Sequence, residues 1–351
     1  MLKEKSKRKK HQRMLAQQKI LIENELEPED DDMPARDEGR RPRRRTEEEL
    51  TESGSDEASR PADEAIVLAA GRKRATVLVG ESTLEIHRPA QLAVVVGDLI
   101  TIRERSDGTK WIGERLERRT SLSRPDVHNP RLERVFAANI DLVVHVASTR
   151  SPPLRTGLID RFLIAIRHGG AEPLICVNKI DVLDDEERCD VEEELAAYER
   201  LAVPIVYCST MTGEGIERLK SLLRGKVCAL VGHSGVGKSS LVNALHPGLS
   251  IRVGEVQEKY GRGKHTTSAS MMYQLDDETR LIDTPGIREL GLWDIDREHL
   301  RWYFPEFEPF AAACRFSDCS HLHEPECAVK AAVEREEIVP DRYAMYERLA
   351  E

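Results

Sequence analysis

The chain has 351 residues, 40% hydrophobic and 33% charged, with a formal net charge of −10. That length allows two or three domains and a large core. It has no apolar run long enough to span a bilayer, no apolar signal-peptide core, and a net acidity that argues against non-specific nucleic-acid binding by the chain as a whole.

The charge is segregated. Residues 1–13 hold seven Lys/Arg against one acid, and Arg40 to Arg45 hold five arginines, with Glu- and Asp-rich sequence between. Residues 1–62 lack apolar periodicity and predict a disordered extension, with one nascent helix around Met14–Leu26. A solvated solubility tail and a basic arm touching RNA both fit this composition.

Over residues 63–123 the text changes to short β-type runs at Ala65–Ala69, Ala75–Val79, Leu84–His87, Leu92–Val96, Leu99–Arg103 and Trp111–Glu117. Gly- and Asp-containing turns separate them, a spacing that predicts a small OB-type barrel. Arg103, Arg105, Arg118, Arg119 and Arg124 lie toward its end. A basic barrel face suits RNA, and a structural or protein-docking barrel is the alternative.

Residues 124–292 alternate apolar strands with amphipathic helices. Strands are expected at Ile140–Ala147, Glu172–Val177, Pro204–Cys208 and Val227–Val231, and helices at Leu158–His168, Glu186–Glu199 and Glu217–Leu223. This pattern predicts a mostly parallel, doubly wound α/β sheet.

Three motifs sit at its strand ends. Asn178-Lys179-Ile180-Asp181 reads as a guanine selector: a buried carboxylate at Asp181 accepts from guanine N1–H and N2–H₂, which adenine does not offer, a contrast of roughly 10⁴-fold. Asn178 is expected on the far side of the base, with the Lys179 stem over its face. Ser209, after the next strand, is a looser match to a second base-contacting loop.

Gly232-His233-Ser234-Gly235-Val236-Gly237-Lys238-Ser239-Ser240 is a G-x-x-x-x-G-K-S phosphate loop between an apolar strand and a helix. Its backbone N–H groups and helix dipole face phosphate, Lys238 supplies a point charge, and Ser239 offers a hydroxyl to Mg²⁺. Asp283-Thr284-Pro285-Gly286 reads as the γ-phosphate switch, with Asp283 toward Mg²⁺ and the Gly286 N–H toward phosphate. Ile287 follows where a water-orienting Gln is usual, so another group must position the water. The Gly261–Thr267 loop offers His265 for that task and a hydroxyl, Thr266 or Thr267, for Mg²⁺. The base reader precedes the phosphate loop, the reverse of the ordinary order, and predicts a circular permutation. It places the γ-phosphate switch beside the C-terminal segment, with the barrel tied to the opposite end of the sheet.

Residues 293–351 predict a helical segment interrupted by Cys314-x₄-Cys319-x-His321-x₅-Cys327. Three thiolates and an imidazole match a closed structural Zn²⁺ site, with His323 a competing ligand by spacing. The other four cysteines are scattered, a reduced, cytosolic pattern.

Taken together these motifs resemble the circularly permuted GTPase family RsgA (also called YjeQ or EngC), the small ribosomal subunit biogenesis GTPases, over about residues 63–351. The resemblance implies a permuted α/β P-loop GTPase domain, flanked by an N-terminal OB-fold barrel and a C-terminal helical zinc-binding domain. It implies Cys314, Cys319, His321 and Cys327 as zinc ligands and His265 in place of the missing Gln; the hydroxyls of Ser239 and Thr267 on Mg²⁺ remain the reading of the loops themselves. It further implies a cytoplasmic monomer that binds GTP and GDP, acts on the immature small ribosomal subunit and its rRNA late in assembly, and releases on hydrolysis. An RNA-binding assembly chaperone with incidental hydrolysis is the alternative. Residues 1–62 have no counterpart in the family, and Ser268 stands where a third Thr is common.

Overall fold

Glycine turns and β-branched runs near the N-terminus close into a barrel. In the computed structural model the strands are β1 (Glu64–Ala70), β2 (Arg74–Val79), β3 (Ser82–His87), β4 (Leu99–Glu104) and β5 (Lys110–Arg115). They pair in the order β1-β2-β3-β5-β4, and β4 returns to β1, so no edge of the barrel is left open. The structure describes residues 64–126, 129, 132–246, 270–283, 295 and 299–351, all within one unit, Ala58–Glu351. The extension expected to be disordered, residues 1–62, lies outside the described residues.

Leu92–Val96 is not the strand that its apolar content predicts. Asp98 Oδ2 accepts from Val95 N at 2.8 Å, and Leu92 N donates to Pro89 O. These bonds curl the backbone, while Val94 and Val96 still fill core positions. Asp98 is itself held by the Arg118 guanidinium, at 2.6 and 2.9 Å. The sequence also conceals a two-stranded ribbon, β6 (Ser121–Pro125) against β7 (Glu133–Ala138).

The α/β region runs β8 (Leu142–Ser148), α1 (Thr156–His168), β9 (Glu172–Asn178), α2 (Asp185–Arg200), β10 (Ile205–Tyr207), α3 (Ile216–Leu223), β11 (Val227–Val231), α4 (Lys238–Leu245), β12 (Met271–Gln274) and β13 (Arg280–Asp283). The sheet order is β10-β9-β8-β11-β13-β12, parallel except for β12. Parallel strands covered on both faces need continuous apolar runs, and every residue of β8 is buried. Asp184 and Glu187 cap α2 reciprocally through a capping box.

The barrel joins this sheet at the β12 edge, not at the opposite end. Ala69 of β1 pairs with Met271 of β12, giving one continuous run of eleven strands. A second tie forms where Asn139 takes a left-handed φ of 53°. Its Nδ2 donates to Gly97 O at 2.9 Å, and its Oδ1 accepts from Arg119 N at 2.9 Å. Gly97 is required there, because a Cβ would lie 2.0 Å from Ala138 O.

The C-terminal segment holds α5 (Glu308–Ala311), α6 (Ala328–Glu334) and α7 (Pro340–Ala350). Helix α1 buries residues around most of its circumference, because the sheet lies on one side and this segment on the other. Ile164 belongs to the cluster built by Phe304, Phe307, Tyr343 and Tyr346.

Candidate functional site

Three loops meet at the C-terminal ends of β8, β9 and β11, where open α/β sheets bind ligands. The phosphate loop links β11 to α4, with Gly232, Gly235 and Gly237 at positive φ. Two of these glycines are forced by close approach: a Cβ on Gly232 would meet Val146 O at 2.3 Å, and one on Gly237 would meet Asn178 Nδ2 at 2.3 Å. His233, Ser234 and Gly235 are exposed along the loop, and Val236 is buried beneath it. Lys238, Ser239 and Ser240 open α4, with the Lys238 ammonium donating to Gly232 O (2.6 Å) and His233 O (2.8 Å).

The base-reading motif is stitched to this loop. Asn178 Nδ2 donates to Val236 O at 2.9 Å. Lys179, at a left-handed φ of 66°, donates from Nζ to Ser151 O (2.5 Å) and Gly235 O (2.6 Å). Those bonds fix both motifs in one frame although the chain joins them in inverted order. Asn178 Oδ1 is buried without a hydrogen-bond partner among the described residues, an arrangement that costs free energy unless a ligand or water satisfies it.

Ile180 is buried and anchors the turn that carries Asp181. Asp181 is exposed rather than buried, because it opens a 3-10 turn at the rim of the sheet. Ser209 Oγ donates to Asp181 Oδ1 at 2.6 Å and accepts from Met211 N and Thr212 N, both at 3.1 Å. The loosely matched Ser209 is thus brought directly against the Asp181 carboxylate. Asp283 ends β13 next to β11, in register with Leu230. His265, Thr266, Thr267, Ser268, Gly286 and Ile287 lie outside the described residues.

His145 on β8 gave no signal in the sequence, since a single His in an apolar run reads as core. It is 2% exposed, its ring lies 4.3 Å from Phe162, and Nδ1 has no protein partner. It lines a cavity of about 40 Å³ between β8, the start of α1 and the phosphate loop, which has room for ordered water. Burial, and then the Lys238 charge, hold its pKa down to about 3 against an ordinary 6.5. The unfolded chain therefore takes up a proton that the folded one refuses, and stability falls as pH drops from 6.5 toward 3. At pH 5 the expected loss from this residue is about 2 kcal/mol. His145→Phe should flatten that part of the stability–pH curve in denaturant titrations; an unchanged slope contradicts the assignment.

A second centre lies in the C-terminal segment. Among the described residues, Cys314, Cys319, His321 and Cys327 place their ligand atoms within 4.8 Å of one another. Cys314 Sγ lies 3.9 Å from Cys327 Sγ and 3.6 Å from His321 Nδ1, and Cys327 Sγ lies 3.5 Å from the same nitrogen. A tetrahedron with Zn–S of about 2.3 Å and Zn–N of about 2.0 Å has edges of about 3.8 and 3.5 Å, so the donor set fits. Burial pushes the Cys319 thiol up to about 12, and a dication at the centre would reverse that. His323, the competing ligand by spacing, is exposed and outside the group.

The shell around the cluster is ordered. Tyr343 OH donates to His321 O at 2.6 Å and Tyr346 OH to Ser320 O at 2.5 Å. Glu324 accepts from the backbone N–H groups of Ser320, Leu322 and His323. Burial works against the Glu324 charge, and hydrogen bonding from the Ser320 side chain and from the backbone of Ser320, Glu324 and His323 overrides it, holding the carboxyl down to about 2.

Comparison with known proteins agrees with this arrangement. The sequence profile described as RsgA GTPase matches residues 115–293. "Small ribosomal subunit biogenesis GTPase RsgA 1" of Vibrio vulnificus (strain YJ016) is 43% identical over 263 residues, 74% of each chain. The RsgA of Haemophilus influenzae (strain 86-028NP) is 39% identical over 74% of this chain and 75% of that one. Among solved structures, YjeQ from Thermotoga maritima superposes with a TM-score of 0.66 at 33% identity, covering 83% of this chain and 98% of that one. YloQ, described as a circularly permuted GTPase, superposes with a TM-score of 0.64 at 26% identity, covering 85% and 96%. With the permuted phosphate and base loops in one frame, a five-stranded barrel before them and a Cys₃His cluster after them, the chain belongs to the RsgA GTPase family.

Proposed function

We propose that the protein binds the immature small ribosomal subunit and hydrolyses GTP late in its maturation, with hydrolysis timing release. The observation that carries the nucleotide half is the bonding of Asn178 and Lys179 to the carbonyls of Val236 and Gly235, which sets a guanine reader and a phosphate cradle at fixed separation. The ribosomal half rests on the relatives, which are named small ribosomal subunit biogenesis GTPases.

In this reading the nucleotide site comprises 178–181, Ser209, 232–240, Asp283 and Gly286. Lys238 exchanges its loop carbonyls for phosphate oxygens and stabilises charge developing on the γ-phosphoryl group. His265 positions the attacking water for in-line displacement. Ser239 and Thr267 would hold Mg²⁺, which neutralises phosphate charge when bound. Cys314, Cys319, His321 and Cys327 would hold one structural Zn²⁺. The functional parts are a barrel over residues 63–123, the nucleotide domain over 124–292 and the zinc module over 293–351.

One pair of variants tests the two nucleotide roles. Asp181→Asn should lose guanine discrimination and gain xanthine nucleotides, whose C2 carbonyl accepts from the new amide. His265→Ala should lower GTP turnover 10²- to 10⁴-fold with GTP affinity nearly unchanged. An unchanged preference for guanine over xanthine nucleotides in the first, or a large affinity loss in the second, would sink the corresponding role.

A further inference from the structure

We propose that the Cys/His module docks on a Lys/Arg-rich polypeptide, with Trp302 as the anchoring side chain. Residues 299–351 hold eleven Asp/Glu against six Lys/Arg. Nine of those acids are exposed. Five of the six cations are already engaged: Arg301 donates to Cys319 O, Lys330 to Leu322 O, Arg315 to Glu326, Arg335 to Glu337, and Arg342 to Asp160 and Glu306, while Arg348 is exposed. Such a surface repels phosphate. The barrel differs, with eleven Lys/Arg against eight Asp/Glu over residues 64–125.

Trp302 is 72% exposed, unusual for the side chain with the largest apolar area. It is presented on a fixed base. The 3-10 turn Leu300–Tyr303 is pinned by Leu300, 2% exposed, and by the Arg301 bond to the cysteine loop at 3.0 Å. The His299 ring stands edge-on to the indole, 5.9 Å away at 83°. An exposed indole on a segment with surplus exposed carboxylates suits ammonium and guanidinium groups, by cation–π contact and by charge complementarity. Tryptophan is also the commonest type of interface hot spot. A nucleobase could stack on Trp302, but its phosphates would meet the surplus acids.

The test uses the full chain. A 15-residue peptide of alternating Arg and Ser is the probe, with a poly-uridine 15-mer as the competing class. Trp302→Ala should weaken peptide binding by about three- to thirtyfold, Trp302→Phe by less, and neither should alter RNA affinity. Unchanged peptide affinity, or a loss of RNA affinity instead, overturns the proposal. A second arm rests on the ribosomal reading: a photo-reactive phenylalanine analogue in place of Trp302, irradiated on purified small subunits, should crosslink to protein. A crosslink to RNA, or within the chain itself, overturns it. If the chain binds no subunits, the ribosomal reading fails by itself and the peptide arm decides.

Discussion

Arg342→Met is expected to lower unfolding free energy by about 3–5 kcal/mol, the cost of leaving buried charge without its partner. Arg342 lies on α7, 4% exposed. Its Nη1 donates to Asp160 Oδ1 on α1 at 2.5 Å, and its Nε to Glu306 Oε1 at 2.7 Å. The guanidinium lies 4.7 Å from the Phe304 ring centroid, and Tyr198 OH from α2 adds a bond to Asp160 at 2.7 Å. Burial opposes the Arg342 charge, yet the two carboxylates outweigh it and hold its pKa above the ordinary value. Burial raises the Asp160 carboxyl despite the arginine, so without Arg342 it neutralises rather than stay charged. The triple variant Arg342→Met, Asp160→Asn, Glu306→Gln should recover more than half of the loss. Chemical denaturation at neutral pH decides: a loss under about 1 kcal/mol for the single variant contradicts a clamp between nucleotide domain and C-terminal module.

Removal of a zinc ion held by the Cys/His cluster is the second large effect expected. Structural zinc contributes apparent free energies of about 10–16 kcal/mol in small modules, and the C-terminal segment has little core of its own beyond the Phe304–Tyr346 cluster. Chelation, or Cys319→Ser, should abolish hydrogen-exchange protection over Cys314–Cys327 and α6 while the α/β sheet stays protected. Elemental analysis should give one zinc per chain. A metal-free protein of unchanged melting temperature and protection would remove zinc from the account.

The nucleotide motifs were legible because their chemistry is local. A glycine at a forced φ, a lysine and a serine at fixed spacing carry the phosphate loop, and the apolar strand before it confirms the context. The Cys/His spacing was legible for the same reason: spacing left His323 in competition, the resemblance favoured His321, and the structure groups His321 with the three cysteines. Contacts across long separations were not. Asp160 and Arg342 are 182 residues apart, and a lone charge on an amphipathic helix reads as surface. Asn139 bridges Gly97 and Arg119, 42 and 20 residues away, with no local signature of either bond. Leu92–Val96 misled because its burial is that of a strand and its hydrogen bonding is not. The attachment of the barrel through Ala69 and Met271 is a single pairing between segments 202 residues apart, with no local signature.

That attachment changes the meaning of the permutation. The barrel is hydrogen-bonded to β12, the strand that follows the loop proposed to carry His265 and Thr267. The Cys/His module is clamped to α1, which follows the Ser151 loop that Lys179 grips. Each flanking domain thus holds an element that continues directly from a segment beside the proposed nucleotide site, and in the proposed reading this would let partner binding alter hydrolysis.

The most direct test is multiple-turnover GTP hydrolysis by the full chain, with and without purified immature small ribosomal subunits. The account predicts slow hydrolysis alone, acceleration of at least tenfold with subunits, and loss of subunit binding once GTP is exhausted. Subunits that neither bind the GTP-loaded protein nor accelerate its turnover would contradict it.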